Sequence, residues 1–149
     1  MTVDATLLGA MPPSVDDLLA AARATLPPRP DPAGLAEALE RGALVVDIRP
    51  IEQRARDGEI PGSVVIARNV LEWRLDPSSE HRIPEASYER EIVIVCDGGY
   101  ASSLAAATLQ QLGLARATDL DGGVQAWIES GRPRRYPDEA SSTARISSP

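Results

Sequence analysis

One cysteine, Cys96, stands where an apolar run meets a glycine pair, and it is the side chain best suited to covalent chemistry here. The segment reads Ile92-Val93-Ile94-Val95-Cys96-Asp97-Gly98-Gly99-Tyr100-Ala101-Ser102-Ser103-Leu104. A buried strand ending on the cysteine places it beyond a carboxyl strand end, where parallel α/β sheets bind ligands. Gly98 and Gly99 let the backbone curl so that successive N–H groups converge on one point. A helix opening with Ser102 as its cap adds its positive end to that cradle. Such a nest stabilises an anion, and a thiolate at a helix N-terminus becomes a nucleophile near neutral pH. The plainer alternative is a small buried hydrophobe closing a core strand, the commoner fate of a lone cysteine.

Four aliphatic runs, at 44–48, 63–67, 92–96 and 117–120, must position that cysteine. Continuous runs, unlike alternating ones, suit strands covered on both faces of a parallel sheet. Helices are expected at 102–112 and 123–130, with Gly113 and Gly131 at their C-caps. Upstream, Ser14 and Asp17 form a capping-box pattern before Val15, Leu18, Leu19, Ala22 and Leu26, so a helix runs over 14–26. Pro27-Pro28-Arg29-Pro30 ends it as a stiff linker. Asp31 and Pro32 open a second helix that Gly42 stops. Strand, loop and helix in alternation give an α/β fold with right-handed crossovers. Residues 1–30 read as an extension of one helix and a Pro-rich linker, with residues 1–13 mobile; 31–135 read as the domain, and 136–149 as a polar, disordered tail.

Composition removes several classes of function. The chain has 149 residues, enough for one domain with a real core. Its net charge of −7 opposes nucleic-acid binding, which draws on a basic face. An acidic surface also opposes an anionic membrane. No apolar run approaches the length of a membrane helix, and the first residues lack the pattern of a signal peptide. One Cys and one His cannot build a protein-only zinc site or an internal disulfide. A cytoplasmic protein with no metal and no cofactor is the expectation. All 15 basic residues are Arg, a composition bias read as genomic in origin.

Four blocks, in order, resemble the rhodanese-like domain, the fold of single-domain sulfurtransferases. Asp47-Ile48-Arg49 with Glu52 resembles the family's D-x-R-x-x-E element. Gly58-Glu59-Ile60-Pro61-Gly62-Ser63 resembles its G-H-I-P-G-A turn. Cys96-x-x-Gly99-Tyr100-x-Ser102 resembles its C-x-x-G-x-R-S loop, and Leu120-Asp121-Gly122-Gly123 with Trp127 resembles its closing L-x-G-G-x-x-x-W. The resemblance implies a mostly parallel sheet of about five strands flanked by helices, here with an extra N-terminal helix. It makes Cys96 the sulfur carrier: the thiolate takes sulfur from a donor, holds it as a persulfide and passes it to a thiol or another nucleophile. With no second cysteine, the acceptor comes from outside, as a thiol or cyanide, and the donor is expected to be a persulfide, on a small molecule or on a partner protein.

This loop departs from the family at two places. The family's Arg is Ala101, and the residue beside the cysteine, often a cation, is Asp97. At about 5 Å, one unit of like charge costs about 0.8–3 kcal/mol for effective dielectrics between 80 and 20. Thiosulfate, a dianion, is therefore expected to be a poor donor. Arg68, after the second strand, is the candidate replacement cation for substrate binding, and otherwise a solvated surface residue. Arg49, after the first, is expected to pair with Asp47 or Glu52 and support the loop. Tyr100 either walls the sulfur pocket or covers the sheet edge. Trp127, on a stripe with Val124 and Ile128, is expected in the core, and Gly122-Gly123 as a tight strand-to-helix turn. His81 is expected at the surface, away from Cys96. For 68–77 the favoured reading is a short helix packing Trp73 inward, the alternative a partner or acceptor surface at the rim of the site. The competing function is a rhodanese-like module that binds or regulates without turnover, because a fold does not guarantee its chemistry. A phosphatase or arsenate reductase is set aside, since those use a longer loop and an Arg to clamp the oxyanion.

Overall fold

A computed structural model describes residues 11–137. The mobile start and the disordered tail expected from the sequence fall, for residues 1–10 and 138–149, outside the described residues. Helix α1 (Val15–Ala24) carries the expected capping box: Ser14 Oγ accepts from the Asp17 N–H at 3.1 Å, and Asp17 Oδ2 accepts from the Ser14 N–H at 2.9 Å. Helix α2 (Pro32–Glu40) starts with proline in its first turn and the Asp31 carboxylate on the Gly34 N–H.

Four strands follow: β1 (Leu44–Asp47), β2 (Val64–Val65), β3 (Ile92–Val95) and β4 (Ala117–Asp119). They pair in parallel in the order β2-β1-β3-β4. The described sheet thus has four strands where about five were expected. The remaining helices are α3 (Ile51–Asp57), α4 (Leu71–Leu75) after a 3-10 turn at Arg68–Val70, α5 (Ala101–Gln111) and α6 (Gly123–Glu129). Among the described residues no helix is long and apolar enough to cross a membrane.

Both sheet faces are covered, which is why the strands read as unbroken aliphatic runs. Val46, Ile48, Ile92, Ile94 and Cys96 face one core with Ala105, Ala106 and Leu109 of α5. Val45, Val93 and Val95 face the other with Leu35, Val124 and Trp127. Trp127 is a core residue as expected, its Nε1–H donating to the Pro133 carbonyl at 2.9 Å. Trp73 is the reverse: it is 54% exposed, while Leu71 and Leu75 are buried. One helical turn separates those two leucines, so the residue midway between them must point outward.

The chain leaves β1 toward β2 on one side and returns to β3 on the other. That reversal opens a crevice at the carboxyl ends of β1 and β3, the place where open α/β sheets hold ligands. Cys96 and Arg49 stand at those ends.

Candidate active site

Cys96 Sγ sits among three hydrogen-bond partners, two donors and one acceptor. The N–H groups of Gly99 and Ser102 approach it at 3.2 and 3.3 Å, and its thiol donates to Ser102 Oγ at 3.1 Å. The cysteine is 7% exposed, so most of its reach to solvent runs through the crevice mouth. Two amides and the leading end of an 11-residue helix converge on one sulfur, which favours negative charge there.

Two glycines make the curl possible for different reasons. Gly99 has φ +86°, and a Cβ on it would lie 2.8 Å from the Gly122 nitrogen. A Cβ on Gly123 would lie 2.5 Å from the Asp97 carbonyl oxygen. The loop and the turn before α6 are therefore in backbone contact. The N–H groups of Val124 and Gln125 donate to the carbonyls of Cys96 and Asp97 at 2.9 and 3.1 Å. Gly122-Gly123 is a tight strand-to-helix turn, as expected, and it also clamps the cysteine loop.

Ser102 is not the helix cap. Tyr100 takes that position with no side-chain capping bond, and Ser102 lies inside the first turn, fully buried. Its hydroxyl instead donates to Asp119 Oδ2 at 2.7 Å, and Ser103 Oγ donates to the same oxygen at 2.8 Å. A capping role would have turned that hydroxyl onto the backbone; a buried carboxylate across the loop is the stronger acceptor.

In front of the sulfur lies a cleft of about 410 Å³, lined by Ile48, Arg49, Pro50, Gln53, Arg68, Tyr100 and Ala101 as well as the loop. Arg49 is fully buried and pairs with Asp47 at 2.7 Å, donating also to the Gly58 carbonyl. Its expected partner is thus Asp47, and Glu52 stays exposed. Arg68 reaches the cleft, but its Nη1 donates to both Glu72 oxygens at 3.0 Å. Tyr100 lines the cleft and is 65% exposed, with the Arg23 guanidinium 5.7 Å from its ring centre. His81 is not among the cleft residues. Asp97, the expected source of repulsion, is held from outside: Gln125 donates to it at 2.9 Å and Arg56 stands at 3.5 Å.

Sequence reasoning missed three features. Arg54 and Glu59 form a buried ion pair at 2.7 Å beside Arg49, with Arg54 also donating to the Arg49 carbonyl. Asp119, fully buried at the end of β4, takes Arg29 Nε at 2.7 Å and Nη2 at 3.2 Å. Arg23 and Arg29 both donate to the Gly99 carbonyl, at 2.8 and 3.1 Å. The cysteine loop, with Ala101 and no arginine of its own, is therefore met by two arginines from the N-terminal segment. A lone acidic residue in the apolar run 117–120 was the available signal, because a buried carboxylate needs a cation or donors.

Fold and site together define a parallel α/β protein whose lone cysteine rests in an anion nest at a topological switch. The rhodanese-like domain family matches residues 31–130, and the chain belongs to it. A sulfurtransferase of Allochromatium vinosum is 34% identical over 95 residues, which cover 64% of this chain and 80% of that protein. The thiosulfate sulfurtransferase GlpE of Pseudomonas savastanoi pv. phaseolicola is 33% identical over 109 residues, covering 72% and 90%. Among solved structures, a Rhodopseudomonas palustris protein of unknown function, called a possible tyrosine phosphatase, aligns with a TM-score of 0.74 at 31% identity, covering 84% of this chain and 96% of its own. Sulfur transfer is thus the activity that the chain's relatives support.

Proposed function

We propose that this chain carries sulfane sulfur on Cys96 and draws it from a persulfide in preference to thiosulfate. The observation that supports this most is the polar ring on Sγ, two amides that donate to it and one hydroxyl that accepts its proton, at 3.1–3.3 Å, in a cleft where Ile48, Pro50 and Ala101 stand beside Arg49, Gln53 and Arg68. The Cys96 thiolate attacks the outer sulfur of a donor R–S–SH, the S–S bond breaks, and R–S⁻ leaves with the bonding pair. Sulfur now hangs on Cys96 as a persulfide; its proton passes to the departing R–S⁻, and the same N–H groups can hold the terminal anion. An acceptor thiolate attacks that outer sulfur, and Cys96 departs as thiolate. No net oxidant or reductant is needed.

Ala101 leaves the cleft rim without a guanidinium in the place where the family carries one, and this is the reason to favour a monoanionic or neutral donor. Arg68 is the half-exposed arginine of the cleft wall that would meet the donor's anionic end, weakened by its pairing with Glu72. Arg49 supports the loop's floor through Asp47 and Gly58. The same missing arginine argues against phosphate-ester chemistry, whose oxyanion would lack its clamp. A reducing, cytoplasmic setting suits a single free thiol.

The test is intact-protein mass spectrometry after incubation with thiosulfate or with a small alkyl persulfide, and with Cys96→Ser as control. A single added sulfur, absent from the variant and removed by cyanide or a thiol, is the expected result, with the persulfide the better donor. Failure to load from either donor would leave the rhodanese-like module that binds without turnover as the better reading.

A further inference from the structure

The thiol at position 96 is joined through two hydrogen bonds to an ion pair that lies outside the cysteine loop. Cys96 donates to Ser102 Oγ, Ser102 donates to Asp119 Oδ2, and Arg29 grips both oxygens of Asp119. Arg29 comes from the Pro-rich linker, 90 residues from Asp119 in sequence. It also donates to the carbonyl of Gly99, the residue whose own N–H points at the sulfur. Arg23 of α1 joins it there, and its Nε–H donates to Ser103 Oγ at 3.1 Å.

Ser102 has one hydroxyl proton, and that proton has two claimants. While Cys96 is a thiol, the S–H supplies its own bond and Ser102 is free to donate to Asp119. Once the sulfur is a thiolate, the S–H is gone. Ser102 then serves the sulfur only by turning its proton away from Asp119. Asp119 can release it because Ser103 Oγ and Arg29 still donate to the carboxylate.

We propose that Arg29, acting through Asp119, governs whether Ser102 donates to the Cys96 thiolate, so that the N-terminal segment is a positioning part of the sulfur site. Remove Arg29, and a buried carboxylate holds the Ser102 proton more tightly while the loop loses a brace on Gly99. Remove the Asp119 charge, and Ser102 turns to the sulfur at less cost. Burial opposes the charge on Arg29, but the hydrogen bond and field of Asp119, with smaller help from Asp121 and Cys96, raise its affinity for a proton, so it stays cationic throughout. The other charges around the sulfur have partners of their own. Asp97 is held by Gln125 and Arg56, Arg49 by Asp47, and Arg68 by Glu72.

The inference shares with the proposed function only the premise that Sγ is the reacting atom, and its readout does not require sulfur transfer. The experiment follows the rate of iodoacetamide alkylation of Cys96 against pH by intact mass. The variants are Arg29→Gln, Arg29→Lys, Asp119→Asn and the double Arg29→Gln/Asp119→Asn, with Arg41→Gln as a distant control and thermal unfolding to establish that each is folded. Arg29→Gln is expected to move the midpoint upward by about one pH unit, and Asp119→Asn to move it downward by a similar amount. The double variant should return close to the unaltered protein, and Arg29→Lys should keep most of the effect of arginine. If Arg29→Gln does not fold, Asp119→Asn, which keeps the side-chain shape, carries the test alone. Unchanged midpoints in the folded variants would overturn the proposal and leave Arg29 a purely structural brace. A shifted midpoint in a chain that accepts sulfur from no donor would uphold this inference and sink the functional one.

Discussion

The two sides of the cysteine loop have been built from different parts of the chain. Its front, facing the cleft, is short of positive charge: Ala101 is neutral, and Arg68 and Arg49 are each bound to a carboxylate. Its rear is rich in it, with Arg23 and Arg29 converging on Gly99 and Asp119. A cation in front would greet an arriving anion. One behind steadies the loop and the sulfur it holds without touching the substrate. The difference separates two jobs that one loop arginine would combine.

The contrast breaks most completely if the loop itself cannot form. Gly123→Ala drives a Cβ into the carbonyls of Asp97 and Cys96, at 2.5 and 2.7 Å, on a residue with φ +63°. Backbone strain of about 1–3 kcal/mol, with the clash added, should lower the unfolding midpoint in urea and abolish sulfur loading. Next comes a variant that rebuilds the front. Ala101→Arg should raise kcat/KM for thiosulfate by about four-fold to a hundred-fold, the span set by one favourable charge at about 5 Å. Steady-state kinetics with cyanide as acceptor would measure it, and an unchanged value would mean that front-side charge does not limit the donor.

A smaller effect is expected from Arg68→Ala, because Glu72 already occupies the guanidinium. Donor kcat/KM should fall by about two- to five-fold; a loss far beyond that would make Arg68 the front cation in full. The smallest concerns the outer edge of the front, where Asp57 joins Arg56 and Gln125. The Arg56 hydrogen bond, opposed by burial and helped by Gln125, holds the Asp57 carboxyl below its ordinary range. Its folded value lies under its unfolded one, so its contribution to stability is present above the usual aspartate range and is lost as pH falls through that range and below. Asp57→Asn should therefore flatten the acid limb of a stability–pH curve slightly and leave neutral pH almost unchanged.

Much of this was legible along the chain. The four strands, the capping box at Ser14 and the stop at the proline run all follow from local patterns, which is why their positions hold to within a residue or two. The cysteine, its double glycine and the helix after them were readable for the same reason. What stayed hidden depends on contacts across 70 to 90 residues, as between Arg29 and Gly99 or Asp119. Nothing near Arg29 marks it as a neighbour of β4, and nothing near Ser102 says that its hydroxyl will find a buried carboxylate before it finds the backbone. Trp73 was misjudged because hydrophobicity suggested an inward ring, while the phase of Leu71 and Leu75 had already assigned the buried face. The Arg54–Glu59 pair escaped notice because both residues look like ordinary solvated charge until the turn at Gly58 folds them together.

The clamp of α6 on the loop has a consequence for how the protein is made. The carbonyls of Cys96 and Asp97 are held by N–H groups of Val124 and Gln125, and Gly99 lies against Gly122-Gly123. A ribosome therefore delivers the cysteine well before it delivers the residues that shape its surroundings. Until β4 and α6 emerge and dock, the cysteine loop lacks the backbone contacts that hold its carbonyls, so its curl is completed only with the domain.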